Sequence, residues 1–290
     1  MNISKQLIAD SFSKAANSYD EFAFLQQEVA SRVFERLDYM RVDPRKILDV
    51  GCGTGACSRQ LRDTFPKAKV AGIDIAQGMI DKAKGSQKLF NKIDYQLADA
   101  DQLPFEDNYF DLVFSSLTIQ WMPELKKTFN ELHRVLKPGG LILFSTLGPD
   151  TLIELRQSWL QLDDDVHVND FVDMHIVGDE VFNASFENTV MDRDVIVLTY
   201  ETMIGLMRDL KAIGAHNIDS ERQKGMLGKN KFNQLKSEYD KFRTSDGVLP
   251  ATYEVIYGHA WKRDGKPQKD YHTHEIDMQE VNLQPANPKK

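Results

Sequence analysis

The sequence predicts an α/β protein built on a doubly wound, mostly parallel sheet. Short apolar runs alternate with amphipathic stretches, the runs close on Gly or Asp, and the first closes on a glycine-rich turn. A length of 290 residues suits one α/β domain with insertions better than two full domains.

Residues 4–18 read as a polar, amphipathic helix, and residues 20–40 continue helically. Leu25, Val29, Val33 and Leu37 recur every fourth position and mark one buried face. Asp43-Pro44 breaks that pattern. The period then changes. Lys46–Val50 (KILDV) is a short strand running into Gly51-Cys52-Gly53-Thr54-Gly55, followed by a helix over 56–65. A strand over 69–73 closes on Asp74, and 78–84 is helical. A strand over 93–97 leads to Ala98-Asp99-Ala100, and FDLVFS (110–115) is the fourth strand. A helix over 125–136 stops at Lys137-Pro138-Gly139-Gly140, and LILFST (141–146) is the fifth strand.

After Gly148 the alternation lapses. Residues 151–162 and 169–177 look helical, and about 149–190 reads as an insertion able to cover a pocket. Strand character resumes at VIVLTY (195–200), a helix spans 201–213, and 216–248 is polar and weakly periodic. TYEVIYGHAW (252–261) is the last strand. The organisation is therefore an N-terminal helical cap (1–45), a main domain (46–265) with a lid insertion, and a Lys-, Gln- and Pro-rich tail (266–290) expected to be disordered.

A content of 41% hydrophobic and 10% aromatic residues supports a proper core. A net charge of −8 argues against bulk attraction to nucleic acid or anionic membranes. The two cysteines, Cys52 and Cys57, lie in the glycine-rich turn with no nearby His, so neither a disulfide scaffold nor a metal site is expected. With no apolar leader or span, the expectation is a soluble, cytoplasmic protein.

The turn Leu48-Asp49-Val50-Gly51-Cys52-Gly53-Thr54-Gly55 is the strongest motif. Glycines let a backbone turn tightly and approach a ligand. The spacing alone also satisfies the loose dinucleotide fingerprint, with Ala56 standing for the last glycine. Asp49 separates the two readings. A carboxylate there would repel a pyrophosphate, but it attracts the ammonium and sulfonium of S-adenosyl-L-methionine. Asp74 follows the second strand, as a ribose acceptor should, with Ile75 beside it. Asp99 and the Ala100 amide are placed to take an adenine amino group, with Asp101 competing for the role, and Ser115 ends the fourth strand.

Together LDVGCGTG, Asp74, ADADQLPF, FDLVFSS and LHRVLKPGGLILFS, over about 46–147, resemble the class I methyltransferases. The resemblance implies a Rossmann-like, seven-stranded sheet and S-adenosyl-L-methionine as cofactor. Further segments resemble a narrower family, the biotin-pathway malonyl-[acyl-carrier-protein] O-methyltransferases, over about 11–262. They are Phe12–Ala16 with Tyr19-Asp20 and Leu25–Gln27, SLTIQW (116–121), Thr146–Leu152, His167–Phe171, Met207–Lys211 with Ile213–Ala215, and Tyr253–Val255 with Tyr257–Trp261. That resemblance implies methylation of a malonyl carboxylate on an acyl carrier protein. Its N-terminal and lid pieces are shared with S-adenosylmethionine-binding accessory proteins, including an arginine hydroxylase. Methylation of another small metabolite is a further alternative.

A malonyl carboxylate is already ionised at neutral pH and needs no general base, only alignment and a partner for its charge. Arg208 and Lys211, three apart on the 201–213 helix, and His167 are candidates for that partner. Ion pairing of Arg208 with Asp209 or Glu201, and a structural role for His167, are the plain alternatives. Tyr19 and Gln26 are expected to close over the cofactor, with core packing as the plain alternative for Tyr19, and Gln120-Trp121 lie where a pocket wall belongs, with simple burial as the alternative for Trp121. The carrier protein is acidic, and 222–243 is rich in Lys and Arg; it is read as a landing surface or a solvated loop.

Overall fold

The computed structural model describes residues 4–87, 92–163, 165–214 and 228–264. The tail assigned to 266–290 and the basic residues Arg222 and Lys224 lie outside these. Strands β1 (Lys46–Val50), β2 (Lys69–Asp74), β3 (Asp94–Leu97), β4 (Phe110–Ser116), β5 (Leu136–Leu147), β6 (Phe186–Tyr200) and β7 (Leu249–Lys262) form one sheet in the order β3-β2-β1-β4-β5-β7-β6. The pairs β3-β2, β2-β1, β1-β4 and β4-β5 are parallel, and β7 runs antiparallel to both β5 and β6.

The central strands read as continuous apolar runs because both faces are covered. Successive residues serve opposite cores. Ile47, Leu112, Phe114 and Leu143 pack with helices α3 (Phe24–Asp38) and α4 (Ala56–Thr64). Leu48, Val113, Ile142 and Phe144 pack with helices α6 (Leu125–Val135) and α8 (Met174–Asn183). On α3 the fourfold spacing holds: Leu25, Val29, Val33 and Leu37 are all buried. Each such side chain contributes about 1.5–3 kcal/mol relative to exposure. Helix α5 (Gln77–Gly85) joins the α3/α4 side through Ile80 and Ala83.

Several elements differ from expectation. The N-terminal region is three helices, α1 (Lys5–Ala15), α2 (Tyr19–Phe22) and α3, with Ala23 separating the last two. Helix α7 spans Ile153–Leu160. The helix expected over 169–177 starts later, because the Asp173 side chain caps it by accepting from the His175 N–H. β6 begins at Phe186, within the range read as an insertion, and β5 starts at Leu136 and runs through the Lys-Pro-Gly-Gly stretch. Helix α9 occupies Met203–Ala212, and the weakly periodic stretch contains helix α10, Lys229–Asp240. Among the described residues no helix is long and apolar enough to cross a membrane.

Candidate active site

Strand order reverses between β2-β1 and β1-β4, which opens a crevice beyond the carboxyl ends of β1, β2 and β4. The glycine-rich turn lies there. Gly51, Gly53 and Gly55 all have positive φ, at 71°, 53° and 82°. Gly51 N and Cys52 N both donate to Ile73 O at 2.8 Å, pinning the turn to β2. Gly53 N donates to Asp74 Oδ2 at 2.9 Å, and Ala76 N to Asp74 Oδ1 at 2.8 Å. Burial pushes the Asp74 carboxyl above its ordinary range, against the pull of these backbone donors.

The crevice opens on about 710 Å³ of space free of protein atoms, open solvent included. Of the residues assigned to the cofactor, it is lined by Gly51, Gly53, Asp74, Ile75, Asp99, Ala100 and Tyr19. Asp101 is buried outside it, bonded to Thr128, so of the two acids only Asp99 faces the cavity. Asp49 is buried and accepts from Ser58 Oγ at 2.5 Å instead of lining the cavity. Burial pushes its carboxyl up to about 7; Ser58 opposes this and neighbouring Asp74 reinforces it. Ser115 also lies beneath, donating to Val50 O at 3.0 Å and fixing the end of β1. Gly55 backs onto Tyr95, whose hydroxyl donates to Gly55 O at 3.3 Å.

The N-terminal helices form the cover. Lys5 of α1 bonds both Asp99 and Asp101. Sequence reasoning missed this residue, which carries no local motif. A Cβ on Gly78 would sit 2.5 Å from Ser13 O, so α1 rests directly on α5. Thr54 Oγ1 donates to Asp20 Oδ1 at 2.7 Å, tying α2 to the turn. Tyr19 is enclosed beside Asp74, and burial first, then that negative charge, drive its phenol well above its ordinary value; it stays a neutral donor.

A second cavity, of about 530 Å³, abuts the first. The two share Phe12, Tyr19, Leu117 and Trp121 in their walls. Gln26 lines this second cavity and not the first, together with Gln120 and with Thr151, Leu152, Asn169 and Phe171 from the covering segment. The three residues assigned to the substrate carboxylate are not among its lining. Arg208 and Lys211 are exposed on α9, whose Leu210 and following Ile213 do line it. His167 stacks on Trp159 at 3.5 Å between centroids, with Nε2 2.7 Å from Asp163 Oδ1. Asp163, Asp165 and His167 converge, but Asp163 is already held by Lys231 and His167. In the basic segment, Lys241 and Arg243 pair with Glu238 and Asp240, while Lys229 and Lys236 are exposed.

The residues present suit a ribosylated, positively charged ligand. A Cβ built on Gly53 meets nothing within 4 Å, so the backbone faces open cavity there, and carboxylates outnumber the single cation Lys5 in the lining. This sheet, turn and acid set define a class I S-adenosylmethionine-dependent methyltransferase. A methyltransferase-domain family model matches residues 48–144. The malonyl-[acyl-carrier protein] O-methyltransferase of Gallionella capsiferriformans is 48% identical over 92% of this chain and 94% of its own. That of Nitrosospira multiformis is 45% identical over 90% of each. The chain belongs to the malonyl-[acyl-carrier protein] O-methyltransferase family. Its fold is shared with Haemonchus contortus phosphoethanolamine N-methyltransferase 2, solved with S-adenosyl-L-methionine, at a TM-score of 0.54, 20% identity, 87% coverage of this chain and 57% of that one.

Proposed function

We propose that this chain transfers a methyl group from S-adenosyl-L-methionine to the free carboxylate of a malonyl thioester on acyl carrier protein, giving the methyl ester that primes pimeloyl and biotin synthesis. The observation that carries the geometry is the shared wall: Phe12, Tyr19, Leu117 and Trp121 line both the cavity at the glycine-rich turn and the second one beside it.

S-adenosylmethionine held here would supply an electrophilic methyl on a sulfonium, with the carboxylate oxygen as acceptor and the sulfur as leaving group taking the C–S electron pair. The protein's residues hold and exclude. Asp74 accepts ribose hydroxyls, Asp99 and the Ala100 amide take the adenine edge, and Ile75 packs on the ring. Gly51 and Gly53 admit the ligand close to the backbone, Gly55 closes the turn against Tyr95, Ser115 steadies the end of β1, and Asp49 supplies negative charge beneath the turn. Tyr19 closes the shared wall. No residue needs to remove a proton, because the malonyl carboxylate is ionised at neutral pH. Expelling water and aligning the two groups supply the rate, a contribution of about 7–11 kcal/mol in favourable cases.

The carrier meets the outer surface. Arg208 and Lys211, being exposed, act on the carrier and not on the carboxylate, joined by Lys229 and Lys236 from the basic segment. The segment 149–190 serves as the lid over the acyl cavity, within a main domain of 46–265 capped by 1–45. A reaction on a carrier-bound acyl group fits the cytoplasm, and both thiols are free.

The test is direct. Purified protein with S-adenosylmethionine and malonyl-carrier protein should yield malonyl-carrier methyl ester and S-adenosylhomocysteine in equal amounts by mass spectrometry. Tight cofactor binding with no ester formed would overturn the assignment.

A further inference from the structure

The second cavity contains no Arg, Lys or His among its described lining residues. That is unexpected for a cavity meant to receive a carboxylate. What it offers instead is neutral amides. Gln26 Oε1 is buried with no hydrogen-bond partner, so this carboxamide faces the cavity with one end unused. Asn169 is 8% exposed and lines the same cavity. Its backbone, by contrast, is fixed: Arg156 NH2 donates to Asn169 O at 2.9 Å and Arg156 NH1 to Asp170 Oδ1 at 2.7 Å. Gln120 is already engaged, donating to Leu117 O at 2.7 Å and accepting from Thr146 Oγ1 at 3.4 Å. Two other amides therefore meet the cavity, the unpartnered Gln26 from α3 and Asn169 from the segment after α7.

We infer that Gln26 and Asn169 are the specificity-determining residues that receive the substrate's free carboxylate through neutral N–H donors, with Arg156 positioning Asn169. This rests on the malonyl reading above and deepens it. A carboxamide turns about its last bond, so the end of Gln26 that meets an anion is its NH2. The chemistry explains the choice of donor. The carboxylate loses its charge as the ester forms, so a cation bound to it would hold the ground state more tightly than the transition state. Ion pairing is strong in an apolar cavity, and breaking it would add to the barrier. A neutral N–H orients the oxygen and excludes an uncharged acyl end, with a smaller penalty as the charge disappears.

The experiment compares malonyl- and acetyl-carrier protein, which differ by the carboxylate. Both are titrated calorimetrically into the full-length protein saturated with S-adenosylhomocysteine, for wild type, Gln26→Met, Gln26→Glu and Asn169→Leu. Wild type should favour the malonyl form by about tenfold or more, the worth of a hydrogen bond to a charged group. Gln26→Met and Asn169→Leu should each lose most of that preference, and Gln26→Glu should reverse it by like-charge repulsion. Affinity for S-adenosylhomocysteine should stay at the wild-type value, which also reports that each variant is folded. Malonyl preference retained in both apolar variants would overturn the inference while leaving methyl transfer intact. So would a loss confined to S-adenosylhomocysteine affinity, which would return Gln26 to the cofactor site. A wild type that neither prefers nor methylates the malonyl form would remove the parent reading itself.

Discussion

Lys5 Nζ, on the first turn of α1, lies 2.7 Å from Asp99 Oδ2, ninety-four residues away in sequence. The same ammonium reaches Asp101, whose side chain is only 1% exposed. The Asp99 half of this pair is part-exposed and contributes little. The Asp101 half neutralises a buried carboxylate. Lys5→Met should therefore cost about 1–3 kcal/mol in urea denaturation, and adding Asp101→Asn should recover most of it. If the two costs simply add, the pairing is not what stabilises the cap.

Asp49 makes stability depend on pH. Its folded value of about 7 lies above the ordinary 3.8. A carboxyl raised in this way binds protons more tightly in the native state. Its contribution is largest at low pH and is lost as pH rises from about 4 to about 7. Denaturation of the ligand-free protein should show wild type falling in stability across that window relative to Asp49→Asn. A cation bound nearby favours the ionised form, so S-adenosylmethionine binding near pH 7 should release protons, seen as a buffer-dependent enthalpy. Asp49→Asn should abolish the release and weaken binding by about tenfold or more.

The turn glycines should separate folding from binding. A Cβ on Gly51 would stand 2.1–2.6 Å from the Thr118 side chain, at a φ of +71°. Gly51→Ala should add a clash of about 1–3 kcal/mol to a left-handed backbone cost of about 1–2 kcal/mol. Gly53→Ala meets no atom and bears only the second cost, but its methyl enters the cavity. It should melt above Gly51→Ala and lose S-adenosylmethionine affinity by calorimetry. Equal melting temperatures for the two variants would contradict this.

Arg208→Ala with Lys211→Ala should raise KM for malonyl-carrier protein several-fold at low salt, with the effect fading at high salt. The kcat and the cofactor affinity should not change. A fall in kcat at saturating carrier would place these cations at the carboxylate after all.

The sequence made the nucleotide-side half of the molecule legible for a physical reason. β1, β2 and β4 are covered on both faces, so their apolar runs stand out, and the turn between β1 and α4 needs glycines that no other residue replaces. The far edge was harder to read. β6 fully buries only Phe186 and Ile196 and carries Asp192, Arg193 and Asp194, which look like a loop until Arg36, Glu254 and Arg32 are seen to pair with them. α10 buries only Leu235 and Tyr239, too few to set a period. Within the site, Gln26 was expected to close over the cofactor, but it lines the second cavity, and no pattern signalled that Lys5 would meet Asp99. Arg208 and Lys211 share a face of α9, but that face is the outer one.

The placement of β7 has a consequence for biosynthesis. It is the last of the described strands in chain order, yet it is wedged between β5 and β6, bonded to one over Leu141–Leu147 and to the other over most of Phe186–Tyr200. Until β7 emerges from the ribosome, both neighbours keep unsatisfied backbone edges, and β6 has no partner at all among the described strands. The nascent protein must wait with its glycine-rich half organised and its distal half open, a state that invites chaperone attention.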